Sequence, residues 1–234
     1  MATITIPPRF CGPTDSGNGG FTCGLLAEHV APPQEITLRA PPPLDTPLEV
    51  VTGDDGVTRA FDGDELVAEG ATVDAWSHEI PNAPTWEQAE RAAARYAGLQ
   101  RHAFPLCFVC GHVREPGDGL RILAGPVPGR DIVASPWLPS GGLPEEDGLL
   151  TTPMVWAALD CPGAWAVERA AQDRPVVLGR MAAVQMEPVA AEGRYLAVGW
   201  PVAIEGRKLL SGTALFDEHG VALATARQIW IVLA

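Results

Sequence analysis

At 234 residues the chain is long enough to bury a full core, as one large domain or two small ones, and its 47% of hydrophobic residues includes no apolar run of about 18 residues, so no membrane span is expected. Its 29 acids against 16 bases give a net charge of -13, which repels nucleic acid and anionic membrane surfaces and leaves an anionic ligand to be met by local Arg and Lys. The first nine residues carry one late positive charge and no apolar core of signal-peptide length, so a cytoplasmic location is expected.

Residues Ile4 to Arg9 read as a short strand or arm, followed by a loop from Phe10 to Gly20 that is dense in turn residues. Phe21 to Val30 has helical spacing, with Cys23, Leu25, Leu26 and Ala27, and stops before Pro32-Pro33. Four strand-like segments come next, Gln34–Arg39, Leu48–Val51, Thr58–Phe61 and Glu65–Val73, separated by prolines and Asp-Gly turns. From Pro84 the texture is helical: Thr85 and Gln88 have capping-box spacing and Glu87 and Arg91 pair at i,i+4, which suits a linker helix on the surface. A strand pair is expected around Leu120–Leu123 and Ile132–Ser135.

The stretch Leu150–Val167 reads as a helix that is apolar on nearly every face, with Asp160 the one charge in its middle. Such a helix is normally buried, and an acid on it is costly unless paired, protonated or used, which makes Asp160 the first functional candidate. It also suits a structural acid bonded to neighbouring backbone. From Pro175 to the end the chain reads as four strands closing in a hairpin over Gly212–Ala226. The second half thus repeats the element order of the first: lead-in loop, apolar helix, antiparallel meander.

Cys107-x-x-Cys110 is the one close cysteine pair, with Cys11, Cys23 and Cys161 scattered along the chain. A zinc site wants four Cys or His ligands and no second CxxC or HxxxH follows, so neither metal nor cofactor is expected and the five cysteines are read as buried free thiols. His102, His112 and His219 fall in loops and are expected to be exposed, His78 falls near a strand end, and the tryptophans, Trp76 included, are expected in the core or on strands. Nucleotide-binding glycine motifs and Gly-x-Ser-x-Gly are both absent.

Several motifs carry a family resemblance. In the second half these are Cys107-Phe108-Val109-Cys110-Gly111, Gly119-Leu120-Arg121-Ile122, Val155-Trp156-Ala157-Ala158-Leu159-Asp160, Gly212-Thr213-Ala214 and Gly220 to Ala226; in the first, Asn18-Gly19-Gly20-Phe21, Leu38 to Leu48 and Gly63 to Glu69. Together with the repeated element order they resemble the acyl-CoA thioesterase-like hotdog proteins, with two units fused in one chain. The resemblance implies an α+β fold of two tandem hotdog domains, each an antiparallel sheet wrapped around a central helix. The units would span residues 1–82 and 105–234, with a linker helix over 83–104. It implies acyl-thioester sites between the units, a loop-plus-helix start whose N–H groups hold the thioester carbonyl, and an acid on the central helix as general base or nucleophile.

Carried over residue by residue, Asn18-Gly19-Gly20 matches the family's His-Gly-Gly with Asn for His, and the acid's position on that helix is Ala27. In the second half Asp160 matches the acid, while Thr152 and Pro153 stand where the glycines would be. Donors from the first half and acid from the second would form one composite site. Asn18, Gly20 and Asp160 are then the catalytic candidates, and Gly19, Phe21, Trp156 and Thr152 the substrate-binding ones. Asn18 is equally suited to cap an ordinary helix. The implied activity is acyl-CoA thioester hydrolysis, the alternative a non-catalytic acyl-thioester or small-lipid binding protein; nucleic acid and membrane are not expected partners. A homo-oligomer of the fused unit is possible through outer sheet edges or faces.

Overall fold

The computed structural model describes residues 2–74, 79–172 and 174–233. The expectations for Trp76 and His78 fall outside them.

Thirteen strands and three α-helices alternate along the described residues. The first half contains β1 (Ala2–Ile4), α1 (Gly19–Ala27), β2 (Gln34–Leu38), β3 (Leu48–Thr52), β4 (Thr58–Asp62) and β5 (Glu65–Thr72), and α2 (Trp86–Ala93) follows. After these come β6 (Gly125–Pro126), β7 (Val133–Trp137), a small hairpin of β8 (Glu145–Glu146) and β9 (Leu149–Leu150), and α3 (Thr152–Val167). Four long strands close the chain: β10 (Val176–Gln185), β11 (Tyr195–Glu205), β12 (Lys208–Asp217) and β13 (Ala222–Val232).

Eleven strands form one antiparallel sheet in the order β1-β3-β4-β5-β2-β10-β13-β12-β11-β7-β6. First-half strands fill one side of this order and second-half strands the other, and the seam is the β2–β10 ladder, where Arg180 faces Thr37 and Ala183 faces Gln34. The tight turns that keep the first half compact are set by Gly56 and Gly63, at φ 74° and 56°, where glycine adopts a left-handed conformation at little cost.

Both long helices pack against the sheet and against each other. Their closeness is written in α1 as Gly20 and Gly24, one turn apart. A Cβ on Gly20 would lie 2.5 Å from the Asp160 Cβ and 2.7 Å from the Trp156 carbonyl oxygen, and one on Gly24 would lie 2.5 Å from the Pro153 Cα. Only hydrogen fits at these two points, so α1 presses its bare face onto α3.

The helix α3 contains Pro162, which lacks the N–H that would continue the helical ladder. In the same turn the sheet reaches the helix backbone: Gln228 of β13 donates from Nε2 to the carbonyls of Leu159 (2.8 Å) and Asp160 (3.1 Å). Its own Oε1 accepts from Trp230 Nε1 at 3.0 Å and lies 3.1 Å from Ser211 Oγ. The backbone at Asp160 is thereby clamped to the sheet.

Two local readings change. Leu120–Leu123 is not a strand of the sheet: the Leu120 and Ile122 N–H groups go to the carbonyls of Phe108 and Val109, and Leu123 N–H goes to Ser135 Oγ, so this segment straps the Cys107–Cys110 loop. β7 pairs with β6 on that side instead, and with β11 on its other side. The helix α2 has the expected capping box, but it also buries Ala89 and Ala92 in a cluster with Val198, Ala214 and Phe216.

Candidate active site

Asn18 ends the turn-rich loop and caps α1, its Oδ1 accepting the Phe21 N–H at 2.9 Å. That bond fixes the amide orientation and turns Nδ2 outward, toward α3. There Nδ2 donates to Asp160 Oδ2 at 2.6 Å. The capping role and the site role are therefore one geometry: the cap aims the donor.

Asp160 is 1% exposed, and its other oxygen, Oδ1, has no hydrogen-bond partner among the described residues. Burial pushes its carboxyl up to about 7, with the charge of Cys107 adding to the effect, against the pull of the Gly20 N–H, the Asn18 amide and the Cys161 thiol. A buried carboxylate with one tethered and one unpartnered oxygen is poised to accept a proton.

Asn18, Gly19 and Asp160 line one cavity of about 550 Å³, within the roughly 300–1,000 Å³ of small-molecule sites. Its walls come from both halves of the chain: the 12–19 loop and the segment after β2 on one side, the 101–110 loop, the later turns of α3 and the start of β10 on the other. Gly19 is the first residue of α1, and the first N–H groups of a helix have no partner within it, so its N–H is a candidate donor to a bound carbonyl.

Four of the residues picked from the sequence do not line this cavity. Gly20 is spent on helix contact. Phe21 stacks on Phe10 at 4.1 Å in the core. Trp156, one turn before Asp160, shares its face and so points at α1, where its Cβ packs against Gly24. Thr152 is the half-buried first residue of α3. The cavity runs along the later part of α3, from Asp160 and Cys161 to Ala164 and Trp165 and on to Glu168 just beyond the helix, which the apolar stretch hid because every face of it is greasy.

His102 is a further correction: it is half-buried in the cavity wall, edge-on to Trp165 at 5.2 Å, with Nδ1 accepting the Phe104 N–H. Cys161 is not scattered either; its sulfur lies 3.6 Å from that of Cys107. Arg39, Arg101 and Arg174 also line the cavity, Arg39 paired with Glu69 and Arg101 with Glu168. His219 is exposed as expected, and His112 is half-buried.

No family model matches the chain, and no curated protein matches it. Solved structures do, over nearly their full length. A putative thioesterase from Novosphingobium aromaticivorans superposes with a TM-score of 0.62 at 18% identity, covering 99% of this chain and 95% of that one. An acyl-CoA thioesterase II from Mycobacterium marinum gives 0.59 at 15% identity, with 99% and 92% covered. A conserved protein with a hot dog fold from Alicyclobacillus acidocaldarius gives 0.56 at 12%, with the same coverage. The chain is a double hotdog. The expected α+β architecture is thus the observed one, and in this double hotdog the start of the first helix and the acid of the second face one cavity. No helix among the described residues is long and apolar enough to cross a membrane.

Proposed function

We propose that this double hotdog hydrolyses an acyl thioester, with acyl-CoA as the substrate class, at a composite site between the unit of residues 1–82 and that of residues 105–234. The observation that carries the reading is the 2.6 Å contact from Asn18 to Asp160, made across the two halves on the wall of one cavity and leaving Asp160 Oδ1 unpartnered. The thioesterase names borne by structures of the same fold support it.

The roles follow from the geometry. Asp160 takes a proton from a water molecule as that water attacks the thioester carbonyl; the carbon–sulfur bond then breaks and the proton held by Asp160 passes to the leaving sulfur, giving a carboxylic acid, a free thiol and the carboxylate again. Asn18 holds the carboxylate in place, and the Gly19 N–H receives the charge that develops on the carbonyl oxygen. Arg39, Arg101 and Arg174 meet the phosphates of the coenzyme at the mouth, and the apolar wall around Trp165 and Leu178 takes the acyl chain. Purified protein incubated with acyl-CoAs of graded chain length should release free thiol, and Asp160→Ala should slow the release about a hundredfold or more while circular dichroism shows the fold unchanged. Release at the parent rate after this substitution overturns the assignment.

One observation favours a second reading. The Asp160 carboxylate is 1% exposed, so water reaches it only through the cavity, and a protein that merely holds an acyl thioester would show the same geometry. Calorimetry with a non-hydrolysable acyl-CoA analogue, run beside the hydrolysis assay, separates the two: binding without turnover selects the binding protein.

A further inference from the structure

The cavity wall holds a cluster that thioester hydrolysis does not use. Cys107, Cys110 and Cys161 are buried, line the cavity, and have their sulfurs all within 4.8 Å of one another. A tetrahedral zinc with bonds of about 2.3 Å to sulfur sets its thiolates about 3.8 Å apart, close to the 3.6 Å between Cys107 and Cys161. We infer that these three cysteines form a site for a thiolate-seeking divalent cation, zinc, with the fourth ligand supplied from the cavity as water.

The loop around Cys107 is built for a thiolate. The Asn18 amide approaches the Cys107 sulfur at 3.8 Å, and the Cys161 sulfur lies 3.6 Å from it on the other element. Gly111 closes the turn, donating its N–H to the Cys107 carbonyl at 2.8 Å; a Cβ there would lie 2.4 Å from that oxygen and 2.6 Å from the Pro105 carbonyl. Three thiols packed only as small apolar groups would need no such donor. The third ligand comes from α3, so the metal would tie the loop to the helix that carries Asp160.

His102 belongs to the surroundings of this site and not to its ligands. Its Nδ1 accepts the Phe104 N–H, which places the ring proton on Nε2, 3.4 Å from the Cys110 sulfur. It therefore donates to a thiolate, as groups around metal ligands commonly do. Binding releases one proton from each cysteine: three thiols, a zinc ion and a water give a Zn(S-Cys)3(OH2) centre of charge about -1 and three protons.

The inference stands apart from thioester hydrolysis, and its test reads metal, not turnover. Full-length protein produced with zinc in the medium should carry about one zinc per chain by elemental mass spectrometry. Zinc-edge X-ray absorption should show three sulfur neighbours and one light atom, and cobalt substitution should give the intense visible bands of a tetrahedral thiolate site. Cys161→Ser and Cys107→Ser should lose the metal, while Cys11→Ser, Cys23→Ser and His102→Ala should keep it. Should the cysteine variants fail to fold, the absorption spectrum of the unaltered protein decides alone. Protein without metal and with all its thiols free, a Cys107–Cys161 disulfide in non-reducing peptide maps, zinc retained by Cys161→Ser, or zinc lost from His102→Ala would each overturn the site as drawn.

Discussion

The two helix starts of this molecule occupy equivalent places and hold different chemistry. At the start of α1, Asn18 caps its own helix and reaches across to Asp160. At the start of α3, Thr151 makes no side-chain cap bond, Pro153 stands where α1 has Gly20, and the place on α1 that corresponds to Asp160 is Ala27. Pairing donors from one half with an acid from the other offers two chances for a site, and the residues needed are present for only one of them. The proposed site is therefore single, and a carboxyl buried without a partner is avoided at the other place.

The largest effect should come from the acid. Asp160→Ala should lower kcat/KM about a hundredfold or more, the usual yield of a positioned general base, with the melting temperature little changed. The mirror substitution Ala27→Asp should create no second activity; it should instead lower stability in denaturant titration, because Ala27 is 1% exposed and a charge there has no partner.

Next come the contacts that bring the helices together. Gly24→Leu meets the backbone of Pro153, which cannot move aside as a flexible side chain would, and should cost about 1–3 kcal/mol in chemical denaturation, the range for overpacking. Gly20→Ala should lower stability and turnover together, since its new methyl group presses on the Asp160 side chain itself.

Asn18 allows its two duties to be separated. Asn18→Ala loses both and should cost about 1 kcal/mol in stability as well as activity. Asn18→Ser keeps a capping hydroxyl but cannot reach Asp160, so stability should stay close to that of the parent while kcat falls; equal losses of stability in the two variants would show that the cap is not what the asparagine provides. The smallest effect belongs to the other start: Thr151→Ala should change stability by less than about 0.5 kcal/mol and leave turnover untouched, as expected where no cap bond exists.

Asp160 was legible in the sequence because one charge in a long apolar helix has few cheap explanations, and Asn18 only through the resemblance, because Asn18-Gly19-Gly20 matches the family's His-Gly-Gly. The four closing strands were legible from alternation and turns. What was hidden is direction. A helix with no polar side gives no hint of which flank faces a cavity, so Trp156 was favoured over Trp165 although the first faces α1 and the second lines the cavity. Leu120–Leu123 has the composition of a strand, yet the Leu120 and Ile122 N–H groups go to the Cys107–Cys110 loop. Cys161 is 54 residues from Cys107 in the chain, a separation that spacing rules for metal ligands do not cover, and only the packing of α3 against that loop brings their sulfurs together.

The seam between β2 and β10 joins, within one polypeptide, the parts that a pair of separate subunits would have to find by diffusion. Asn18 and Asp160 therefore meet at an effective concentration set by the chain and not by the amount of protein in solution. A site assembled this way does not come apart on dilution: specific activity per mole of chain should stay flat down to the lowest protein concentration that can be assayed.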